Sequence, residues 1–517
     1  GGVGGSGGTA AGGGGGATAG SAASGDTSHC VGGREFDPAI DYYAPPCTPG
    51  TIGAALTSNG GATYAGVTGN QIVLVDYLTN YGAEVNTILQ AEGLYESYQA
   101  GVALDAAWQN FINSHYVMWG RKVKIIPYQG QCQSVPPNYS CLLAEMDSIV
   151  SQYHPYGVMW STTLCSACYA RLAQDHVVAW GGVGFSDGFM NANQPYVYGA
   201  GQGMSSSRME TDFASWWCHQ MTSARSTRKV SFALSQNPAQ NFNGQKRVLG
   251  VISTNDPDNE NTANGILQKA LQQCGDGFNP DYNGQHHYYF YAQDINTAAQ
   301  QVEAGISAMD TPTNPATDVL CLCDPVAPAF LYEGEASHNY WPENVMADVQ
   351  GMTTDQTSQS YMSGLGCPNK PCEYSNAFGL SSAWPYPAQS QSAGAKVFAA
   401  GAKGGSLPVT PLTAIGLWED WNMMASLIEN TGPSLDPTRM MAASGSMGTR
   451  GGGPYATTGL GSGDHTWVQD AELVYWSPTK TSQWNGSPGT MVPIEGTRFS
   501  TNFPTLQSPP IPAQAQR

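Results

Sequence analysis

The sequence predicts an α/β protein of two lobes, each built on a parallel sheet, and three observations carry that expectation. Strand-sized β-branched runs alternate with amphipathic helical stretches from 71 to 180, the alternation starts afresh after Gly203, and 517 residues are too many for one ordinary core. A strand, a helix and a second strand in succession favour parallel pairing, because the crossover helix covers one face of the sheet.

The first run, QIVLVDY (71–77), is ended by Asn80 and Gly82. A helix is expected from about 93 to 114, where Tyr98, Val102 and Ala106, with Trp108, Phe111 and Ile112 beyond, recur at three- and four-residue steps. KVKIIPY (122–128) reads as a strand, 141–153 as a helix, YGVMW (156–160) as a strand, 166–174 as a short helix and HVVAW (176–180) as a strand. The restarted pattern gives helix 207–221, strand RVLGVIS (247–253), helix 262–274, strand HHYYFYA (286–292), helix 296–309 and strand DVLCLC (318–323). Ligands of open α/β sheets sit beyond the carboxyl ends of the strands, so two such lobes facing each other make a cleft.

Outside this pattern, residues 1–29 are dominated by Gly, Ala, Ser and Thr, and are expected to form a flexible tether. Residues 30–67 form a Pro- and Gly-rich extension in which Cys30 and Cys47 would close a loop.

Only 11% of the chain is charged, and 20 Lys+Arg against 39 Asp+Glu give a formal net charge of -19. That balance repels nucleic acid and anionic lipid, which excludes both as partners. Twelve cysteines point to an oxidising compartment, extracellular or in the cell envelope outside the cytoplasmic membrane. The longest apolar stretches, such as 72–75 and 248–252, fall far short of the roughly 20 residues needed to span a bilayer. A signal-peptide pattern is missing as well, so a secreted protein would be represented here by its mature form or by a sequence begun after a removed segment.

Five stretches in fixed order, APPCTPG (44–50), NGGATYAGVTGNQIVLV (59–75), WGRKVKIIPY (119–128), LTAIGLWEDWNMMASLIENTG (412–432) and GSGDHTWVQDAELVYW (461–476), resemble the type I periplasmic binding proteins. The similarity is to the leucine/isoleucine/valine-binding family of ABC-transporter receptors, in its actinobacterial lipoprotein-like branch. The resemblance implies two Rossmann-like lobes with parallel sheets joined by a three-crossover hinge, preceded here by the Gly-rich tail. By analogy, 68–198 and 386–462 would form lobe 1, 199–385 and 463–500 lobe 2, and 501–517 a C-terminal tail. It further implies a non-enzymatic receptor that closes on an amino acid or another small carboxylate-bearing compound and hands it to an ABC permease. No cofactor or metal is implied.

In this family the strand matching 156–160 ends in a loop whose hydroxyls and backbone N–H groups hold a ligand carboxylate, which gives Ser161, Thr162 and Thr163 that role. Helix N-terminal donors and short hydroxyls suit an anion, although Ser and Thr in such places are also ordinary caps and turns. Gly182, Val183 and Gly184, after the next strand, would offer main-chain groups. From the second lobe the resemblance brings Asp324, Asp348 and Gln350, where an acid would pair with a ligand ammonium; Glu343 and Asp355 compete with Asp348 for that place. Tyr77, Asn80 and Tyr81 would line the cleft after the first strand.

The pair Cys165 and Cys168 reads as a redox motif, part of a zinc site or a structural disulfide, and the bland third reading suits the uneven spacing of the other pairs, 321/323 and 367/372. The resemblance also admits links from Cys132 or Cys141 to Cys165 or Cys168, against local 132/141 and 165/168 bridges. GFSDG (184–188) matches a nucleophile elbow by letters, which makes a secreted hydrolase using Ser186 one alternative, but the elbow needs a helix after the serine and FMNANQPYVYG does not read as one. His286 and His287, adjacent on a strand, point to opposite faces and cannot share a metal; His465 reads as structural. A further alternative is a self-assembling extracellular protein, a homo-oligomer or filament that reuses the receptor fold.

Overall fold

A computed structural model describes residues 25–503 except 55, 57, 92–94, 162–164, 223–228, 231–240, 279–286, 350, 364–372, 384–386, 405–406, 408–410 and 462. Most of the Gly-rich tail, Thr162, Thr163, His286, Gln350, Cys367, Cys372 and most of the C-terminal tail lie outside the described residues.

The first lobe opens with β1 (Gln71–Asn80), followed by α1 (Ala83–Ala91), α2 (Tyr98–His115) and β2 (Lys122–Gln133). It continues with α3 (Tyr139–Tyr153), β3 (Gly157–Met159), α4 (Ser166–Gln174), β4 (Val178–Gly182), α5 (Asp187–Ala192) and β5 (Val197–Gly199). The five strands pair in parallel in the order β2-β1-β3-β4-β5. Side chains alternate across the central strand β1: Ile72 and Leu74 pack with Leu104, Trp108 and Phe111 of α2, whereas Val75 and Tyr77 pack with Leu142 and Met146 of α3. Asp76, two residues after Leu74, therefore shares the α2 face.

The second lobe begins with α6 (Ser206–Trp216), β6 (Leu249–Thr254), α7 (Pro257–Thr262), α8 (Gln268–Gln272), β7 (Tyr288–Tyr291) and α9 (Ala298–Met309). Then come β8 (Asp318–Leu322), α10 (Ala327–Ser337), β9 (Glu343–Asp348), α11 (Asp355–Ser363) and β10 (Phe378–Ser381). The chain next returns to the first lobe, where α12 (Ala393–Gly401) packs on α2 and α13 (Pro411–Thr431) packs on α12, α2 and β4; α14 (Pro437–Ser444) follows. After the hairpin of β11 (Arg450–Gly452) and β12 (Tyr455–Thr458), β13 (Glu472–Thr481) and β14 (Pro488–Pro493) rejoin the second sheet. Its order is β14-β13-β10-β9-β8-β6-β7. The chain thus crosses between lobes three times, after β5, after β10 and after β12.

The second sheet departs from the all-parallel expectation, because β13 runs antiparallel to both β10 and β14. A return from the hinge directly into a sheet edge carries no crossover helix to enforce parallel pairing. Helix α2 starts at Tyr98 rather than near 93, where the side chain of Ser97 accepts from the Ala100 N–H and fixes the cap. The helix expected from 262 begins at Pro257, with Asp256 as its cap and proline at the first turn, and passes through a wide π turn at 263–267. A helix also follows Ser186, contrary to the sequence reading: Ser186 caps α5 by accepting from the Phe189 N–H, and the Asn-rich letters concealed a short six-residue element.

Cysteines pair as 30–47, 132–141, 165–168, 218–274 and 321–323. The bridges around the first-lobe strand tips are therefore the local ones, and the longer links to the 165–168 segment are not made.

Candidate functional site

The carboxyl ends of the strands of both sheets face each other across a cavity of about 560 Å³. From the first lobe it is lined by the β1 tip, where Asp76, Tyr77, Thr79, Asn80 and Tyr81 follow in succession, by Tyr95, Glu96 and Tyr98 at the start of α2, and by Ser161, Val183 and Gln202. The second lobe contributes Tyr289, Tyr291, Asp294, Asp324, Phe330 and Asp348. Of the residues expected from sequence, Ser161, Val183, Tyr77, Asn80, Tyr81, Asp324 and Asp348 are all brought to this one cavity. Gly182 and Gly184 belong to the turn behind it. Gly182 packs so tightly that an added Cβ would lie 2.2 Å from Phe185, and Gly184 takes φ 74°, so both serve the turn's close packing.

Hydrogen bonding separates the carboxylates of the two lobes. On the second lobe each one is occupied by its own loop. Asp324 accepts from the N–H groups of Val326 and Ala327 at 2.9 and 3.1 Å and from the Tyr291 hydroxyl at 2.6 Å. Asp348 accepts from the N–H groups of Gly351, Met352 and Thr353 and from the Thr353 hydroxyl. Asp294 accepts from the Asn296 N–H and side-chain amide.

The first lobe is different. Asp76 and Asp105 are each 2% exposed and lie close together, and burial raises both: Asp76 to about 7, and Asp105, with the charge of Asp76 as a second cause, well above the usual carboxyl range. Glu96 is pushed up to about 8 by burial first and by the charge of Asp76 second. Asp420, reaching in from α13, is raised by burial to about 8; its Oδ1 accepts from the Gly201 N–H at 2.5 Å. Glu96 Oε1, both oxygens of Asp105 and Asp420 Oδ2 are buried without a hydrogen-bond donor. These four acids were not singled out from sequence. For three of them the signal was a charged residue inside an apolar run: Asp76 in QIVLVDYL, Asp105 in GVALDAAW and Asp420 in LWEDW.

Serines and aspartates also meet across the cleft rim. Ser186 of the first lobe donates its hydroxyl to Asp258 at 2.5 Å and its N–H to the same carboxylate at 2.7 Å, and Ser166 donates to Asp256 at 3.1 Å. Burial raises both aspartates. The hydroxyl a hydrolase would need free is thus engaged in a bond between lobes. His465 lies buried against Tyr198, with ring centroids 4.8 Å apart, and burial lowers its pKa.

Among the described residues one group has the geometry to hold a metal ion, His29, Cys30, Glu35 and Cys47, but its two cysteines are joined as a disulfide and Glu35 accepts from the N–H groups of Thr48 and Val117.

No protein-family model and no curated protein matches the chain. Solved structures do. A possible leucine/isoleucine/valine-binding protein from Rhodopirellula baltica aligns with TM-score 0.52 at 12% identity, over 82% of this chain and 96% of its own. An ABC-transporter solute-binding protein from R. palustris, in complex with 4-hydroxybenzoate, gives 0.54 at 11% identity, over 84% and 98%. A type 1 periplasmic binding protein from Bordetella pertussis gives 0.52 at 13%, over 82% and 99%. The chain therefore has the fold of the type I periplasmic binding proteins.

Proposed function

We propose that the protein is an extracytoplasmic solute receptor, without catalytic activity of its own, that captures a small molecule between its lobes and presents it to an ABC permease. The observation that carries this reading is the cavity itself, bounded by the strand tips of both sheets, so that a ligand touching both walls stabilises the closed arrangement. Its 560 Å³ and tyrosine-rich walls suit a compact solute with a hydrocarbon body and a polar end. The Ser186–Asp258 and Ser166–Asp256 bonds are contacts that opening would break.

Small-angle scattering and thermal unfolding test this together. A true ligand reduces the radius of gyration and raises the melting temperature at the same concentrations. A screen of amino acids, amines, amides and aromatic acids that moves neither quantity would end the proposal.

A further inference from the structure

Buried carboxylates need a compensating cation, a set of donors or a proton, because an isolated charge in a protein interior costs several kcal/mol. Beneath the cleft, Asp76, Glu96, Asp105 and Asp420 gather from β1, the start of α2, its middle and α13, and four of their oxygens have no donor. No Lys, Arg or His is among the described residues lining the cavity, while Asp76 and Glu96 both line it. Glu210 and Asp212 on α6 also bury an oxygen without a donor, but neither lines the cavity, and two further buried acids are served differently. Asp41 accepts from the Trp418 indole and the Asn422 amide, and Glu429 accepts from the Val117 N–H, both away from the cleft.

The cavity over the acids is lined by Tyr81, Tyr95 and Tyr98, with Tyr289 and Phe330 opposite. Faces of aromatic rings attract cations and repel carboxylates, and that attraction grows once water is excluded. A bare metal ion does not fit this description: the acid oxygens do not converge as a ligand set, and the cavity is far larger than one ion requires.

We propose that the cavity selects a small organic cation, an amine or quaternary ammonium, whose charged nitrogen is held by Asp76 and Glu96 of the first lobe between tyrosine rings. This reverses the polarity implied by the family resemblance, in which the first lobe holds a carboxylate and the second an ammonium. It rests on the receptor reading and specifies its ligand class. In the empty state protons neutralise the cluster; the bound cation takes their place, so ligand and protons compete.

The test is calorimetric titration of the full chain with putrescine, choline, leucine and 4-hydroxybenzoate, repeated from pH 5 to pH 8 and in buffers of different ionisation enthalpy. Putrescine or choline should bind with release of about one proton, and affinity should fall as pH drops below the raised carboxyl values, approaching tenfold per unit. Glu96→Gln and Asp76→Asn should each weaken cation binding about tenfold or more while circular dichroism stays unchanged. Binding of leucine or 4-hydroxybenzoate that closes the lobes and is unaffected by Glu96→Gln would overturn the cation assignment and leave the receptor reading standing. Silence from all four ligands, with no change in scattering, would overturn both.

Discussion

At the amino ends of the second sheet's strands, Arg247 lies 3.0 Å from Asp318 and 2.8 Å from Glu343, all three almost wholly buried. Beneath the cleft in the first lobe, Asp76, Asp105, Glu96 and Asp420 are packed together with no such cation among the described residues. One cluster closes its charge account internally; the other leaves it open on the side of a cavity. A paired cluster at the closed end of a sheet explains itself as structure. An unpaired one at the strand tips, where α/β proteins bind ligands, is the arrangement of a site.

The largest effect is expected from unbalancing the paired cluster. Arg247→Met strands two carboxylates in the interior, and denaturant unfolding should show a loss of about 3–5 kcal/mol. A loss under about 1 kcal/mol would mean that water already reaches Asp318 and Glu343, and the contrast between lobes would collapse.

Next comes the pH dependence of the empty protein. Acids whose folded pKa lies above the unfolded value bind more protons when folded, so stability falls as pH rises from the unfolded value near 4 through the folded values of about 7 to 8. The melting temperature should therefore drop by several degrees between pH 5 and pH 8.5. Glu210 is pushed by burial to about 8 as well and adds to this slope, so the contribution of the cleft must be isolated by mutation. Asp105→Asn should raise the melting temperature at pH 8 and leave it nearly unchanged at pH 4, where the parent carboxyl is already neutral. Equal effects at both pH values would show that packing, and not charge, governs that position.

The smallest effect concerns closure. Ser186→Ala removes one bond between the lobes, and ligand affinity should fall about three- to tenfold. Scattering of the unliganded protein should shift toward a larger radius; an unchanged radius and affinity would place Ser186 in a purely local capping role.

Much of this architecture is legible in the residues alone. The alternation from 71 to 180 marks every strand of the first sheet except β5, whose three residues are too few to carry a period. The helix 166–174 is predicted to the residue. Strand β9, the short β10 and the antiparallel pair β13–β14 are not marked by any such pattern, and the place of β13–β14 is set by the return of the chain through the hinge. The cleft was expected at the strand tips, and Ser161, Val183, Tyr77, Asn80, Tyr81, Asp324 and Asp348 do line it. What sequence reasoning missed is which acids would be left over. Asp324 and Asp348 look available as letters, yet their own loops consume them, whereas Asp76, Asp105 and Asp420 come together only because β1, α2 and α13 pack across more than 300 residues of chain. Hydrogen-bond satisfaction is a tertiary property, and a linear pattern does not encode it.

The five bridges among the described residues close spans of 17, 9, 3, 56 and 2 residues, and none of them joins one sheet to the other. Each jaw is stitched separately while the joint is left unsewn. Oxidation can therefore toughen the halves against proteases and drying without adding any resistance to their swinging apart, a motion opposed instead by non-covalent contacts such as the serine–aspartate clasps.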